Sequence, residues 1–228
     1  MICLSIKIHS FLDALKLIRK NQNKADFFEV WLDQFKKIDY KKLRNATPKP
    51  LIAVCKGISE LGNFKGKEAD RVKILENAIK NNFDYIDIDI HLKKELIQKL
   101  IKNKGNSKII ISYHNFKQTP SLKVLSKIFE KAVKMNADVI KIATFANKYS
   151  DNLVIFQLID KIKKQKKNQI IALCMGEKGK ISRIIAPKLG SLLTFIPITP
   201  NKLTAPGQLT LKEYKICHKI IYCSALKK

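Results

Sequence analysis

Arginine is nearly absent from this chain. Of 45 basic residues only Arg19, Arg44, Arg71 and Arg183 carry a guanidinium, and lysine supplies the rest in every segment. That scarcity bears on the net charge of +26, which first points toward nucleic acid. Nucleic-acid sites favour the rigid fork of arginine and usually cluster their charge. Here there is no basic tail and no RNA-binding motif. The lysines read as solvated faces, so nucleic acid is not an expected partner. A positive field would still gather a small anionic substrate.

Other absences narrow the class. No segment approaches the ~18 uninterrupted apolar residues of a membrane helix, so no membrane partner is expected. The opening MICLSIKIHSF is broken by Lys7 and His9 and no small-residue cleavage site follows it, so no signal peptide is expected. The five cysteines, Cys3, Cys55, Cys174, Cys217 and Cys223, form no CxxC pair and are odd in number. That fits a reduced, cytoplasmic protein using cysteine as a small apolar residue. Cys217, His218 and Cys223 lack zinc spacing, so no metal is expected. No GxGxxG or phosphate loop occurs, and no repeat, long linker or low-complexity block is visible.

What is present is alternation. Hydrophobic residues make up 46% of 228, enough for one core, and barrels of this length often form one domain, here 1–228. β-Rich runs fall at 2–7, 27–32, 51–56, 84–90, 108–113, 138–143, 169–174 and 192–196. Helical patterns fall at 10–21, 67–81, 92–103, 120–136, 148–165, 179–187 and 210–221, while 34–49 is less regular. Thr119 reads as an N-cap with Pro120 at the first helical position. Strand–helix alternation indicates parallel βαβ units, and eight of them favour an α/β fold of the (β/α)8 TIM-barrel type. The competing fold is a doubly wound sheet, which usually brings a Gly-rich phosphate loop.

In such a barrel the active site gathers at the C-terminal ends of the strands. The polar residues there are Ser5, Glu29, Lys56, Asp87, Asp89, Ser112, His114 and Lys141, followed by Arg183 after the seventh strand and by Thr204 and Gln208 after the eighth. Lys141, within DVIKIA, would be desolvated inside a barrel and its pKa lowered, as an amine that attacks a carbonyl needs. The alternative is a lysine that snorkels out at its strand end. His114 is a candidate acid/base beside it, or a simple turn cap. Asp89, one strand earlier, could orient the imidazole. Arg183 offers a fork suited to a carboxylate, or an ordinary surface ion pair.

The segments SYHNFKQTPS, ADVIKIA, MGEKGKISR, LGSLLTF and TAPGQ, together with ICLSI, ADFFEVWLD and IAVCKGISELGNFKG in that order, resemble the type I 3-dehydroquinate dehydratase family over nearly the whole chain. The resemblance implies a (β/α)8 barrel that removes water from 3-dehydroquinate to give 3-dehydroshikimate, in the shikimate route to aromatic amino acids. It implies that Lys141 forms an imine with the substrate ketone, and that His114 takes the adjacent proton and returns it to the departing hydroxyl. Asp89 would orient His114. Arg183 would bind the substrate carboxylate, Thr204 and Gln208 would belong to a closing loop, and Ser5, Glu29 and Lys56 would meet the substrate. No dissociable cofactor is implied. A homodimer is, because barrels of this family are often dimers. In some organisms the domain is fused to a shikimate dehydrogenase; no such second domain is expected here.

Four positions depart from the family pattern. Strand two reads Glu29-Val30-Trp31 where the family has Glu-x-Arg, strand three ends in Lys56 instead of arginine, Asp89 stands for glutamate and Thr204 for serine. The departures at Trp31 and Lys56 keep a second reading open, an imine-forming lyase or aldolase of the same barrel with another substrate. A third is a basic nucleic-acid-binding homologue without catalysis, which leaves Lys141, His114 and Arg183 unexplained.

Overall fold

The computed structural model describes residues 1–165 and 168–222. Eight parallel strands make one sheet: β1 (Ile2–Ile6), β2 (Phe27–Trp31), β3 (Leu51–Val54), β4 (Tyr85–Asp89), β5 (Lys108–Asn115), β6 (Val139–Phe145), β7 (Gln169–Met175) and β8 (Thr194–Pro197). Their order is β7-β6-β5-β4-β3-β2-β1-β8. The N–H of Leu192, just before β8, donates to the carbonyl of Ile170 in β7 at 2.8 Å, which brings the two edges together. The result is a nearly closed (β/α)8 barrel, and the doubly wound alternative is set aside.

The helices are α1 (Phe11–Lys20), α2 (Tyr40–Arg44), α3 (Glu68–Lys80), α4 (Lys94–Lys102), α5 (Leu122–Lys134), α6 (Asp151–Lys164), α7 (Lys180–Leu189) and α8 (Leu211–Tyr222). They cover the sheet with one apolar stripe each, as Ile97 and Leu100 do in α4 and Leu125, Phe129 and Ala132 in α5. α2 is the short one. Arg44 at its end binds the carboxylate of Asp84 and the carbonyls of Thr47 and Lys49, which fixes the irregular approach to β3. The expected Thr119 cap is not formed. Ser121 precedes α5, and the Thr119 hydroxyl instead donates to the Phe145 carbonyl at 2.9 Å, tying the end of β5 to the end of β6. Cys223 lies outside the described residues.

The period of two along each strand sorts side chains into two cores. In β2, Phe28 and Val30 pack outward under the helices, while Phe27 and Trp31 join the barrel interior. In β4, Ile86 and Ile88 face out and Tyr85 faces in. The outer layer contains fully buried Phe28, Phe83 and Phe129, each costing ~3–5 kcal/mol if truncated to alanine. The inner core, with Cys3, Ile52, Ile110, Val139, Ile171 and Phe195, is a plug beneath the polar strand ends. Ser5 pairs in register with Glu29, Asp89 with Ser112, and Ser112 with Lys141. These inward positions therefore converge above the plug. Among the described residues no helix is long and apolar enough to cross a membrane.

Candidate active site

Lys141, in mid-β6, projects into the barrel mouth among carboxylates. Its Nζ donates to Asp87 Oδ2 at 3.0 Å and to Glu29 Oε1 at 3.2 Å, and lies 4.3 Å from the centroid of the Phe195 ring. Burial pulls the pKa of this ammonium down, but Asp87 and Glu29 outweigh it and hold the group above the ordinary lysine value. This corrects the expectation that burial alone would depress it. The charged form is favoured because two acids from β2 and β4 face it.

A second lysine shares one of those acids, Asp87. Lys56 Nζ donates to Asp87 Oδ1 at 2.7 Å, Ser112 Oγ at 2.9 Å and Glu60 Oε1 at 3.1 Å. An ammonium has three protons, and each has a protein acceptor. Lys56 lines the cleft, but as drawn by these bonds it holds the site together and has no proton left for a substrate. Burial opposes ionisation of Asp87, yet Lys141 and Lys56 keep its carboxyl well below the usual range.

His114 meets Glu60. Its Nδ1 lies 3.1 Å from Glu60 Oε1, and the ring stacks on Phe116 with centroids 6.0 Å apart. Burial lowers the histidine pKa, the Glu60 bond acting against it. Glu60 is itself clamped: Arg71 Nη2 donates to its Oε2 at 3.0 Å while Arg71 Nε donates to the Cys55 carbonyl at 2.6 Å. Burial would raise the Glu60 carboxyl, but Lys56, His114 and Arg71 hold it far below the carboxylate range. Asp89, expected to orient His114, does not bond it. Its Oδ1 accepts the His91 N–H at 2.9 Å, and burial next to Glu60 raises its pKa. The orienting carboxylate comes from the loop after β3, one strand further round.

That loop folds back on itself. Leu61 has φ +64°, and a Cβ on Gly62 would sit 1.9 Å from the Lys56 carbonyl oxygen, so only glycine allows the return. Asp33 anchors both ends, accepting from Lys56 N at 3.0 Å and Asn63 N at 2.9 Å.

Glu29 is the other shared acid. Besides Lys141, it accepts Trp31 Nε1 at 3.0 Å and Ser5 Oγ at 2.8 Å, both on Oε2. Ser5, expected to line the pocket, is fully buried and sits behind Glu29 as its support.

Arg183 lies on the first turn of α7, within the helical pattern expected at 179–187, and is 2% exposed. Nη2 donates to the Pro206 carbonyl at 3.0 Å, Nε has no partner, and burial lowers its pKa to about 10. Among the described residues no carboxylate pairs with it. Lys141, Lys56 and Arg71 are matched by Glu29, Asp87 and Glu60, so Arg183 is a surplus cation ready for an anion. The TAPGQ loop roofs the site. Gln208 Oε1 accepts from Thr204 N at 2.7 Å and Ala205 N at 3.2 Å, and its Nε2 donates to Thr204 Oγ1 at 2.9 Å. Gly207 (φ +72°) lets the loop seat directly on Gly176, whose oxygen would lie 2.2 Å from any Cβ there.

Beneath that roof is a cleft of about 470 Å³ counted with its mouth, lined by Glu29, Lys56, Glu60, His114, Lys141, Arg183, Thr204 and Gln208 with apolar walls that include Trp31 and Phe195. Of the expected site residues, only Ser5 and Asp89 are outside the lining. Glu60 in the lining and Arg71 behind it are absent from the candidate site read in the sequence, while Asp87 and Ser112 stand in it among the polar strand ends without a role, and in the structure bond Lys56 from outside the lining. Glu60 follows Lys56 by four residues in KGISE, a loop position that a survey of strand ends passes over.

The fold and this cleft define a barrel enzyme with its site at the C-terminal strand ends. The family described as type I 3-dehydroquinase matches residues 2–223. The 3-dehydroquinate dehydratase of Methanococcus maripaludis strain C7 is 34% identical over 223 residues, covering 97% of this chain and all of its own. That of Methanocaldococcus jannaschii is 36% identical over 218 residues, covering 93% and 96%. The crystal structure of the Geobacillus kaustophilus enzyme superimposes with a TM-score of 0.88 at 22% identity, over 98% of this chain and 91% of that one. The chain belongs to the type I 3-dehydroquinase family, whose members are hydro-lyases.

Proposed function

We propose that this protein removes water from 3-dehydroquinate to give 3-dehydroshikimate through an imine on Lys141, as a step of aromatic amino acid biosynthesis in the cytoplasm. The observation that carries the reading is that Lys141, His114 and the unpaired guanidinium of Arg183 line one cleft. The substrate carboxylate docks on Arg183 and places the ketone at Lys141. An incoming ketone takes the amine after its proton passes to one of the flanking carboxylates, Glu29 or Asp87. Amine addition and loss of water give the protonated imine, which withdraws electrons from the adjacent C–H bond.

His114 is the base. The Glu60 contact at Nδ1 fixes the tautomer with Nε2 unprotonated, and burial keeps the ring neutral near pH 7. Nε2 takes the proton, the carbon–oxygen bond breaks, and the same proton leaves with the hydroxyl as water. A second water hydrolyses the imine and restores Lys141. The electron sink is the iminium, and the protein's residues hold and move the protons. Thr204 and Gln208 cover the reacting centre.

Incubation with 3-dehydroquinate, reduction by borohydride and peptide mass mapping test this. The expected result is one adduct, at Lys141, with turnover in the unreduced sample. No adduct, or an adduct elsewhere, sinks the proposal.

A further inference from the structure

Lys7, just past the end of β1, is not in the cleft lining, yet it touches both halves of the site. Its Nζ donates to the Leu61 carbonyl at 2.6 Å and lies 4.8 Å from the centroid of the Trp31 indole. From Trp31 one arm runs inward: Nε1 to Glu29 Oε2 at 3.0 Å, and Glu29 Oε1 from Lys141 Nζ at 3.2 Å. From Leu61 the other arm is shorter, because its neighbour Glu60 bonds His114 at 3.1 Å. One ammonium thus joins the wall beside the amine to the loop beside the imidazole.

The loop has reason to need that contact. Leu61 is left-handed, with φ +64° and ψ 15°, a conformation that bulky L residues rarely adopt. Such a residue persists only where its surroundings hold it. The Leu61 N–H is satisfied by the Ile58 carbonyl at 3.1 Å, and its own carbonyl by Lys7. The half-buried ammonium faces Asp33 from the segment after β2, and the indole gives it a cation–π seat.

We propose that Lys7 is a positioning residue that sets the spacing between Lys141 and His114 by fixing Leu61 and Trp31 together. It acts at a distance from substrate, so its loss falls on the chemical step and leaves affinity nearly unchanged. The inference rests on the dehydratase reading, and wild-type turnover separates the two. An inactive wild type fails that reading; an active wild type whose turnover ignores Lys7 fails this one.

The test is steady-state kinetics of Lys7→Met and Lys7→Arg together with tryptophan emission, which Trp31 alone supplies because the chain has one tryptophan. Lys7→Met is expected to lower kcat by about tenfold to a hundredfold, with KM within about threefold, borohydride trapping at Lys141 retained and Trp31 emission shifted. Lys7→Arg can donate to the same carbonyl and stack on the same ring, and is expected to recover most of kcat and the native emission. A kcat for Lys7→Met within about twofold of wild type, a loss confined to KM, or unchanged emission would each overturn the proposal. Should the methionine variant not fold, a Lys7→Arg variant that folds with native emission yet lacks wild-type kcat overturns it as well.

Discussion

Glu60 Oε1 lies 3.1 Å from His114 Nδ1, and Lys56 Nζ reaches the same oxygen at 3.1 Å. The imidazole is therefore oriented by a carboxylate that is already neutralised by a cation. Glu60→Gln keeps the size of the side chain and removes the charge. It is expected to lower kcat on the order of tenfold or more, whereas Asp89→Asn, on a group bonded to His91 N, should change it by less than about threefold. Equal losses in the two variants would return the orienting role to Asp89.

The acid limb of kcat/KM follows from the same pair. Burial, Lys56 and Lys141 lower the His114 pKa and Glu60 opposes them, so the limb is expected below the ordinary histidine value of about 6.5. In Glu60→Gln the opposing charge is gone and the limb moves further down. A pH–rate profile of both proteins checks the direction, and a limb above 6.5 in the wild type contradicts it.

Lys141 is protonated in the free protein, with its pKa above the ordinary lysine value. In the substrate-free protein, labelling of Lys141 by an external amine-acylating reagent, which needs the neutral amine, should accelerate about tenfold per pH unit through the neutral range, with no plateau below pH ~10. A plateau near neutrality would mean that the amine is already free.

Lys56→Met removes a cation shared by Asp87 and Glu60. Breaking a buried pair from one side costs ~3–5 kcal/mol, read as a lower urea midpoint at pH 7. Both acids are held below the usual carboxylate range. Their ion pairs stabilise the fold above the ordinary pKa of ~4 and are lost as pH falls through the depressed values. In the variant those carboxyls titrate at higher pH. The gap to wild type should therefore hold from pH 7 to about 4 and narrow only as the urea series is taken below that.

Arg183→Met opposes binding to stability. The guanidinium is buried with Nε unpaired and no carboxylate beside it among the described residues. Its removal is expected to raise KM by tenfold or more, since a lost charged contact is worth about 1.5–3 kcal/mol, while the unliganded protein melts no lower than wild type. A lower melting temperature with unchanged KM would mean that the group is structural.

The barrel was legible in the sequence because its strands are runs of Ile, Val and Phe separated by helix-period segments, and such patterns are local. Lys141, His114 and Arg183 stood out for local reasons too, a lysine inside an apolar run and an arginine in a chain that rarely uses one. What could not be read was who bonds whom across the barrel. Lys141 meets Glu29 over a separation of 112 residues and Asp87 over 54, so its protonation state depends on partners that no window along the chain contains. The family resemblance implies substrate contacts for Ser5 and Lys56, and no window along the chain shows that Ser5 donates to Glu29 or that three acceptors surround the Lys56 ammonium. Glu60 escaped because its loop has no periodicity to mark it.

The arginines of this chain have a use beyond their chemistry. Arg44 spans a carboxylate and two carbonyls, Arg71 a carbonyl and a carboxylate, and Arg183 holds the roof loop while facing the cleft. Lys56, by contrast, sits where acceptors from a loop and two strands surround a point, the arrangement a round ammonium fits. Three of the chain's four guanidiniums therefore stand where the shape of a fork, and not charge alone, is used, while Arg19 is exposed on α1. The same division of labour leaves the compact ammonium of Lys56 to close a point among three acceptors.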